Sequence, residues 1–496
     1  MPQSFPELAI ELINLIIDQL HDSRPDLKTC ALVHRDWLPQ SRYHLFHDIR
    51  LFQNDVAPFL ELCSSPYSTL PLAHVQTFGL ATNLVLKGEP KDKTTYNCPA
   101  LDQLLTWQSP ETERKLITER VFGYLRALSL SWIGWWTLSD NAKAVLHGGF
   151  TSLTELKLWN VVFGFEDEFV ELLGALHGLQ KLRLDGVVLR EARDIDVKQR
   201  KNPPQSLHTI DVDMPRSEKC LRIIEFMRPC PSLKSFSGRV VQFSDITTEF
   251  AQAMTKLLES AGSSLENFSF AVKQSASGKG DMDLGNYLAT TRLSLPLTFF
   301  AFLDAVLQQI DLSTNVNLQS IYLSIEDSSY LLPFLRRLIN NSNPSSLKKL
   351  HVPNFLSSAR DSTDLVDQLF QHPYFSSLQE FRCTVCVPFG LKDVKGQPKG
   401  WYDRLNEGSQ PLADMAAKID ELKLRLPSLN NRGVLRVDEH FCEEESDVTM
   451  LLNGKANQMT MTHDEEEEER SRGYEFESNE VQSENSESEP RVAVLD

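Results

Sequence analysis

The side chains that most often do chemistry are present in this chain but scattered. Cys383-Thr-Val-Cys386 is the single CxxC pair, a spacing that suits half a zinc site or a redox couple. No second pair stands at a zinc-ribbon distance and no Trp-Cys-Gly-Pro surrounds it, so buried structural thiols are expected. His177, His208 and His351 are dispersed and suit solvated or hydrogen-bonded positions. No GxSxG, HExxH, DxDxDG or P-loop occurs, so no activated serine, metal-bound water, calcium loop or phosphate cradle is expected. These observations predict a protein that is not an enzyme and takes no cofactor or metal.

Two features suit recognition better than catalysis. Trp132, Trp135 and Trp136 fall within six residues, in a loop predicted to follow a strand. Trp is favoured as a binding anchor, although an indole at the edge of a repeat is as readily structural. Ser486 has Glu489 three residues on, the pattern an acidophilic kinase uses.

The elements that would carry these residues repeat. An apolar anchor followed by apolar residues three and five positions later recurs at Leu125-Leu128-Leu130, Leu153-Leu156-Leu158, Leu179-Leu182-Leu184 and Leu207-Ile210-Val212. Leu233-Phe236 keeps the register but ends on Gly238. Leu265-Phe268-Phe270, Leu318-Ile321-Leu323, Leu347-Leu350-Val352 and Leu378-Phe381-Cys383 continue it. Anchors stand 26 to 32 residues apart, except for one interval of 53. That interval reads as a double period, with Leu288-Thr291-Leu293 as a degenerate repeat inside it, and Val75-Phe78-Leu80 is a weaker candidate for an earlier one. Amphipathic helical stretches at 166–178, 217–227, 245–259, 331–339 and 362–370 separate the strands.

A strand and a helix every 25 to 30 residues is the leucine-rich-repeat signature. Such units bury their apolar faces only by stacking, which predicts a solenoid with a parallel sheet over residues 51–437, clearest over 125–385. A doubly wound α/β domain is the competing fold. It prefers longer apolar strands and a Gly-rich phosphate turn, and no GxGxxG follows any of these strands.

Charge divides the chain further. The net charge is −18, and residues 438–496 hold nineteen acidic against four basic residues, which leaves the body near neutral. The Glu- and Ser-rich end cannot offset its ordering entropy by burial and is expected to be a disordered acidic tail. A near-neutral body also argues against nucleic acid as a partner. Residues 4–20 are apolar but interrupted by Glu7, Glu11, Asn14 and Asp18, without the basic start of a targeting segment. The apolar run at 295–307 is shorter than the ~20 residues of a membrane span. A soluble chain in the cytoplasm, the nucleus or both is expected, with no membrane partner.

Residues 1–50 are predicted to form a three-helix unit. Leu8, Leu12, Ile13, Ile16, Ile17 and Leu20 share a helical stripe, Pro6 suits a first turn with Phe5 as cap, and residues 22–25 break the helix. Segments from Leu27 to Val33 and from Trp37 to Phe46 complete the unit. Its own core is small, so it is expected to lean on a partner or on the next domain.

This stretch resembles the F-box in Phe5-Pro6-Glu7-Leu8, Ile16-Ile17-Asp18-Gln19-Leu20, Leu27, Cys30-Ala31-Leu32-Val33 and Arg35-Asp36-Trp37. The continuation Arg42-Tyr43-His44-Leu45-Phe46 is similar to fungal members, and Phe5 departs from the family's Leu. The resemblance implies a Skp-type adaptor as partner and, through it, a cullin–RING ubiquitin ligase, with the repeats selecting an unknown protein substrate. It implies that Pro6, Leu8, Ile16, Leu20, Leu27, Leu32, Val33 and Trp37 form or support the adaptor face. The alternative is a leucine-rich-repeat scaffold that binds a partner without ubiquitination, its first helices acting as a cap on the repeats.

Overall fold

A computed structural model describes residues 8–65, 74–82, 96–108, 116–191, 202–214, 217–240, 248–272, 309–324, 331–340, 346–353, 363–389 and 410–443, with Ser68, Leu70 and Phe355. Residues 1–445 are one unit, described below, and residues 446–496 lie outside the described residues.

Three helices come first: α1 (Ile10–Asp18), α2 (Arg24–Val33) and α3 (Leu38–His47). Pro25 lies in the first turn of α2, where its missing N–H breaks no helical bond. Ala9 is extended (ψ 141°) and α1 starts at Ile10, later than expected, with Glu11 complementing the helix dipole in its first turn. Pro6 is therefore not in the first turn of this helix, and Phe5 and Pro6 themselves lie outside the described residues.

The rest is α/β. Strand β1 (Asp48–Phe52) is followed by helix α4 (Val56–Ser64), then β2 (Thr77–Ala81), α5 (Pro99–Thr106), α6 (Ile117–Arg120) and β3 (Ala127–Ser131). Helix α7 (Asp140–Gly148) leads to β4 (Glu155–Trp159) and β5 (Val162–Phe165), and α8 (Glu166–Ala175) to β6 (Lys181–Asp185) and β7 (Val188–Glu191). Then come β8 (Thr209–Met214), α9 (Ser217–Phe226), β9 (Ser235–Val240), α10 (Thr248–Ala261), β10 (Asn267–Val272) and β11 (Ser320–Ser324). The chain continues through α11 (Leu331–Asn340), β12 (Lys349–His351), α12 (Thr363–Phe370), β13 (Glu380–Phe389), α13 (Gln410–Arg425), α14 (Pro427–Asn431) and β14 (Leu435–Glu443).

Twelve of these strands form one sheet, in chain order apart from β5 and β7, which pair separately. Every neighbouring pair is parallel, and the apolar template positions stand in register across the sheet. Phe78 pairs with Leu128, Leu128 with Leu156, Leu156 with Leu182, Leu182 with Ile210 and Ile210 with Phe236. All are buried, and they join the anchors and the inner faces of the helices in one core. In α11 the buried residues Leu331, Phe334, Leu335 and Leu338 fall at helical spacing on one face. Fully burying one such side chain stabilises the fold by roughly 1.5–3 kcal/mol.

A backbone device sets the register. From β2 to β12 the carbonyl preceding a sheet strand accepts from two successive N–H groups of the next unit: Arg126 and Ala127 donate to Gln76 O, and Thr154 and Glu155 to Arg126 O. Gln180 and Lys181 repeat this on Thr154 O, and the pattern continues as far as Gln379 and Glu380 on Lys348 O. A second device closes the turns. Trp132 N donates to Trp159 O at 2.8 Å, Asn160 N to Asp185 O at 2.6 Å and Gly186 N to Asp213 O at 3.2 Å. All three turn residues have positive φ, which suits Asn and Gly but is unusual for Trp132 at 61°.

Several boundaries differ from expectation. Val75-Phe78-Leu80 does precede a sheet strand, and Phe46-Ile49-Leu51 fits the same template one unit earlier. The sheet therefore begins at Asp48, inside the 1–50 segment, because Ile49 and Leu51 pair with Phe78 and Leu80. Across the 53-residue interval β10 and β11 are direct neighbours in the sheet, Asn267 pairing with Ser320. Leu288, Thr291 and Leu293 lie outside the described residues. Asn315 fastens that junction, its Nδ2 donating to Leu258 O at 2.9 Å and Gly262 O at 2.8 Å. The sheet also continues past residue 437. β13 is long enough to pair with β14 through Glu443, so the first residues of the 438–496 segment are strand.

Candidate functional site

The three N-terminal helices have a core separate from that of the sheet. It consists of Ile17, Leu27 and Cys30, with Ile13, Leu20, Trp37 and Leu45 packed around it. Polar bonds brace it. Asp18, at the end of α1, accepts from His44 Nε2 at 2.7 Å and from Gln40 Nε2, both on α3. These hydrogen bonds, His44 first and then Gln40, hold the Asp18 carboxyl below its ordinary value. Arg24 ties the unit to the sheet by donating to Asp48 O at 2.9 Å.

The eight residues implied as an adaptor face divide between inside and outside. Leu27 is fully buried, and Leu20 and Trp37 pack against it, so these three support the unit from within. Leu8, Ile16, Leu32 and Val33 are exposed by 56%, 52%, 88% and 58%. Pro6 lies outside the described residues. The apolar stripe of α1 is in effect two stripes: Ile13, Ile17 and Leu20 face the small core, while Leu8, Leu12 and Ile16 face solvent. Leu15, not among the eight, extends the exposed band, and its signal was the excess width of the apolar arc; Ile10 is also exposed but continues the core-facing row of Ile13 and Ile17 at the start of the helix. These short helices therefore expose large apolar side chains on α1 (Leu12, Leu15, Ile16) and at the end of α2 (Leu32, Val33).

The tryptophan cluster does not behave as one surface. Trp135 is fully buried against Phe163, with ring centroids 4.7 Å apart, so it is a core residue and not a partner contact. Trp132 is half-buried, 6.1 Å from the Tyr96 ring. Trp136 stays partly exposed, but the Arg190 guanidinium already stands 3.8 Å above its ring. Gly134 makes this packing possible, because a Cβ there would sit 2.7 Å from the Trp136 indole.

The outward face of the sheet holds the remaining chemistry. Trp159, Asp185, Asp213 and Arg239 are successive register partners across β4, β6, β8 and β9. Trp159 is half exposed, and its signal was the alternation itself: with Leu156 and Leu158 inward, residue 159 faces outward. Arg239 pairs with Asp213 at 2.8 Å and Arg183 with Asp211 at 3.6 Å. Burial, followed by the charge of Asp213, pushes the Asp185 carboxyl up to about 6.

Among the described residues no three His, Cys, Asp or Glu side chains meet as a metal site. Burial drives the Cys383 thiol up to about 12, where it is no ready nucleophile, and the side chain of Cys386 lies outside the described residues. His177, His208 and His351 lie in different units of the repeat, and burial lowers the pKa of His208. Ser486 and Glu489 lie outside the described residues. Among the described residues no helix is long and apolar enough to cross a membrane. No family model matches the chain, and a search of curated proteins finds no match.

Proposed function

We propose that this chain is a non-catalytic substrate receptor of a Skp–cullin–F-box type ubiquitin ligase. In this reading residues 8–47 are an F-box that docks on a Skp-type adaptor. The stacked strand units form a leucine-rich-repeat solenoid that holds the protein to be ubiquitinated. The receptor contributes proximity: tethering raises the effective concentration of target lysines near the transferring enzyme.

The observation that carries the reading is the exposed apolar band of Leu8, Leu12, Leu15, Ile16, Leu32 and Val33 on a unit with its own small, completed core. A mere cap on the repeats would turn such residues toward the sheet, whereas this band is open to solvent. It coincides with four of the residues the F-box resemblance implies.

The test is capture of the full chain by a purified Skp-type adaptor. Leu32→Asp is the informative variant, because a side chain 88% exposed cannot be essential to the unit's packing. The wild type is expected to bind and the variant to fail. If the wild type does not bind, or Leu32→Asp binds equally well, the receptor reading is wrong and an interaction scaffold takes its place.

A further inference from the structure

The two edges of the large sheet end differently. At β1 the three-helix unit reaches the strand, and Arg24 donates to Asp48 O at 2.9 Å. β14 is the last strand and pairs on one side, with β13. Phe381 N donates to Val434 O, so by alternation Arg436 and Asp438 also turn their backbone groups toward β13. The N–H and C=O groups of Leu435 and Val437 point the other way and have no partner among the described residues. Such a row is a template for a further strand.

The side chains of this edge are ordered. Leu435 and Val437 are partly buried and pack against the core. Arg436 and Asp438 flank Val437 on the outward face. Arg436 is exposed, has no ion-pair partner among the described residues, and stands beside Arg382, a like charge. Arg382 takes Glu380 at 2.8 Å and approaches Asp438 only to 4.0 Å. A cation and an acid thus stand one residue either side of Val437, neither with a close partner among the described residues.

We propose that β14 pairs with β14 of a second copy of this chain, antiparallel, about a two-fold axis at Val437. In that register the two Val437 residues face each other as a hydrogen-bonded pair, and Arg436 of each copy lies opposite Asp438 of the other. An axis at Arg436 or at Asp438 would set like charges face to face, so the order of charges selects both the register and the occupant. One strand supplies both halves of each charge pair, as a self-complementary two-fold contact requires. The inward Val437 side chains meet at the junction and extend the apolar layer across it. A pairing of so few residues is small beside a permanent interface, so the dimer is a weak one. The three-helix unit adjoins the opposite edge of the sheet, so this inference does not rest on the receptor reading.

The test is sedimentation velocity of the full chain from about 1 to 100 µM, the range in which weak contacts associate. The wild type is expected to pass from monomer to dimer. Arg436→Asp and Asp438→Arg each place like charges opposite one another and are expected to stay monomeric alone. Mixed in equal amounts, the two variants are expected to associate, because each supplies the charge that the other lacks. Thermal melts check that both fold. Arg436→Ala, which shortens an exposed side chain and is expected to weaken dimerisation by about tenfold, keeps the test decisive where a charge reversal does not fold. A wild type that is monomeric throughout, a dimer undiminished by Arg436→Asp or Arg436→Ala, or folded variants that stay apart when mixed overturns the proposal.

Discussion

Asp18 and His44 meet at 2.7 Å across the first and third helices, closing one side of a core formed, among the described residues, by the buried Ile17, Leu27 and Cys30. Because its partners lower the Asp18 pKa, the bond stabilises the unit above the ordinary carboxylate value and is lost as acid protonates the group. Asp18→Ala should cost about 0.5 kcal/mol, the scale of an exposed charge-assisted contact. Urea melts of the full chain, followed by hydrogen exchange on α1 and α3, should show the loss at neutral pH and its disappearance in acid, once Asp18 is protonated in both states.

Two leucines in α2 separate support from contact. Leu27→Ala opens a cavity in the small core and should cost about 2–5 kcal/mol, enough to unfold the three helices and abolish adaptor capture together. Leu32→Asp should change stability by less than about 0.5 kcal/mol while abolishing capture. Equal thermal shifts for the two variants would contradict this division.

The repeat template suggests that Gly238, where other units carry a large apolar residue, is a defect that Val would mend. The packing argues the reverse. A Cβ at Gly238 would meet the Phe236 ring at 2.9 Å and the Phe270 ring at 3.5 Å, so neighbouring aromatic groups already fill that volume. Gly238→Val should destabilise by about 1–3 kcal/mol through overpacking, seen as a lower melting temperature.

Asp185 titrates in the opposite sense to Asp18. Its folded pKa of about 6 lies above the ordinary value, so the folded state binds the extra proton and stability falls as pH rises from about 4 to 6. The difference is at most ~3 kcal/mol, and less for a side chain partly open to solvent. Asp185→Asn should therefore raise the melting temperature at pH 7 and leave it unchanged near pH 4. The charged and titratable groups around it are Asp211, Asp213, Arg183 and Arg239, so Asp213→Asn should bring the Asp185 titration down. Carboxyl NMR of the two variants would show this.

The inward half of the fold was legible in the sequence, because burial selects residue type. Leu128, Leu156 and Leu182 announce their strand by spacing alone, and the structure stacks them in register. The limits of the sheet were less legible. Ile49 and Leu51 sit directly after a helix whose charge and aromatic pattern masked the onset of the two-residue period. Arg432, at the anchor position of the last unit, gave no apolar signal. It stays exposed, and its guanidinium donates to Phe370 O at 3.1 Å and Phe375 O at 2.8 Å instead of filling the core as the anchor leucines do. The candidate site divided along the same line. The stripe of α1 could be read, but which edge of it faced water depended on where α2 and α3 packed. The Trp132–Trp136 stretch misled because an indole's burial is decided by its neighbours: Trp135 fills the core beside Phe163.

The doubly accepting carbonyl ahead of the strands from β2 to β12 has a consequence for how this chain tolerates change in length. From β3 to β13 each strand of the large sheet is aligned on the unit before it through two N–H groups on one oxygen. The interval from Leu265 to Leu318 is nearly twice the others, yet Gln319 and Ser320 reach Glu266 O as their counterparts do elsewhere. Insertions between strands are therefore absorbed locally, whereas deleting one residue within Ala127–Ser131 or Glu155–Trp159 would exchange inward and outward faces for that unit. Variation in length and variation in surface chemistry are thus assigned to different parts of the same repeat, and each can drift without disturbing the other.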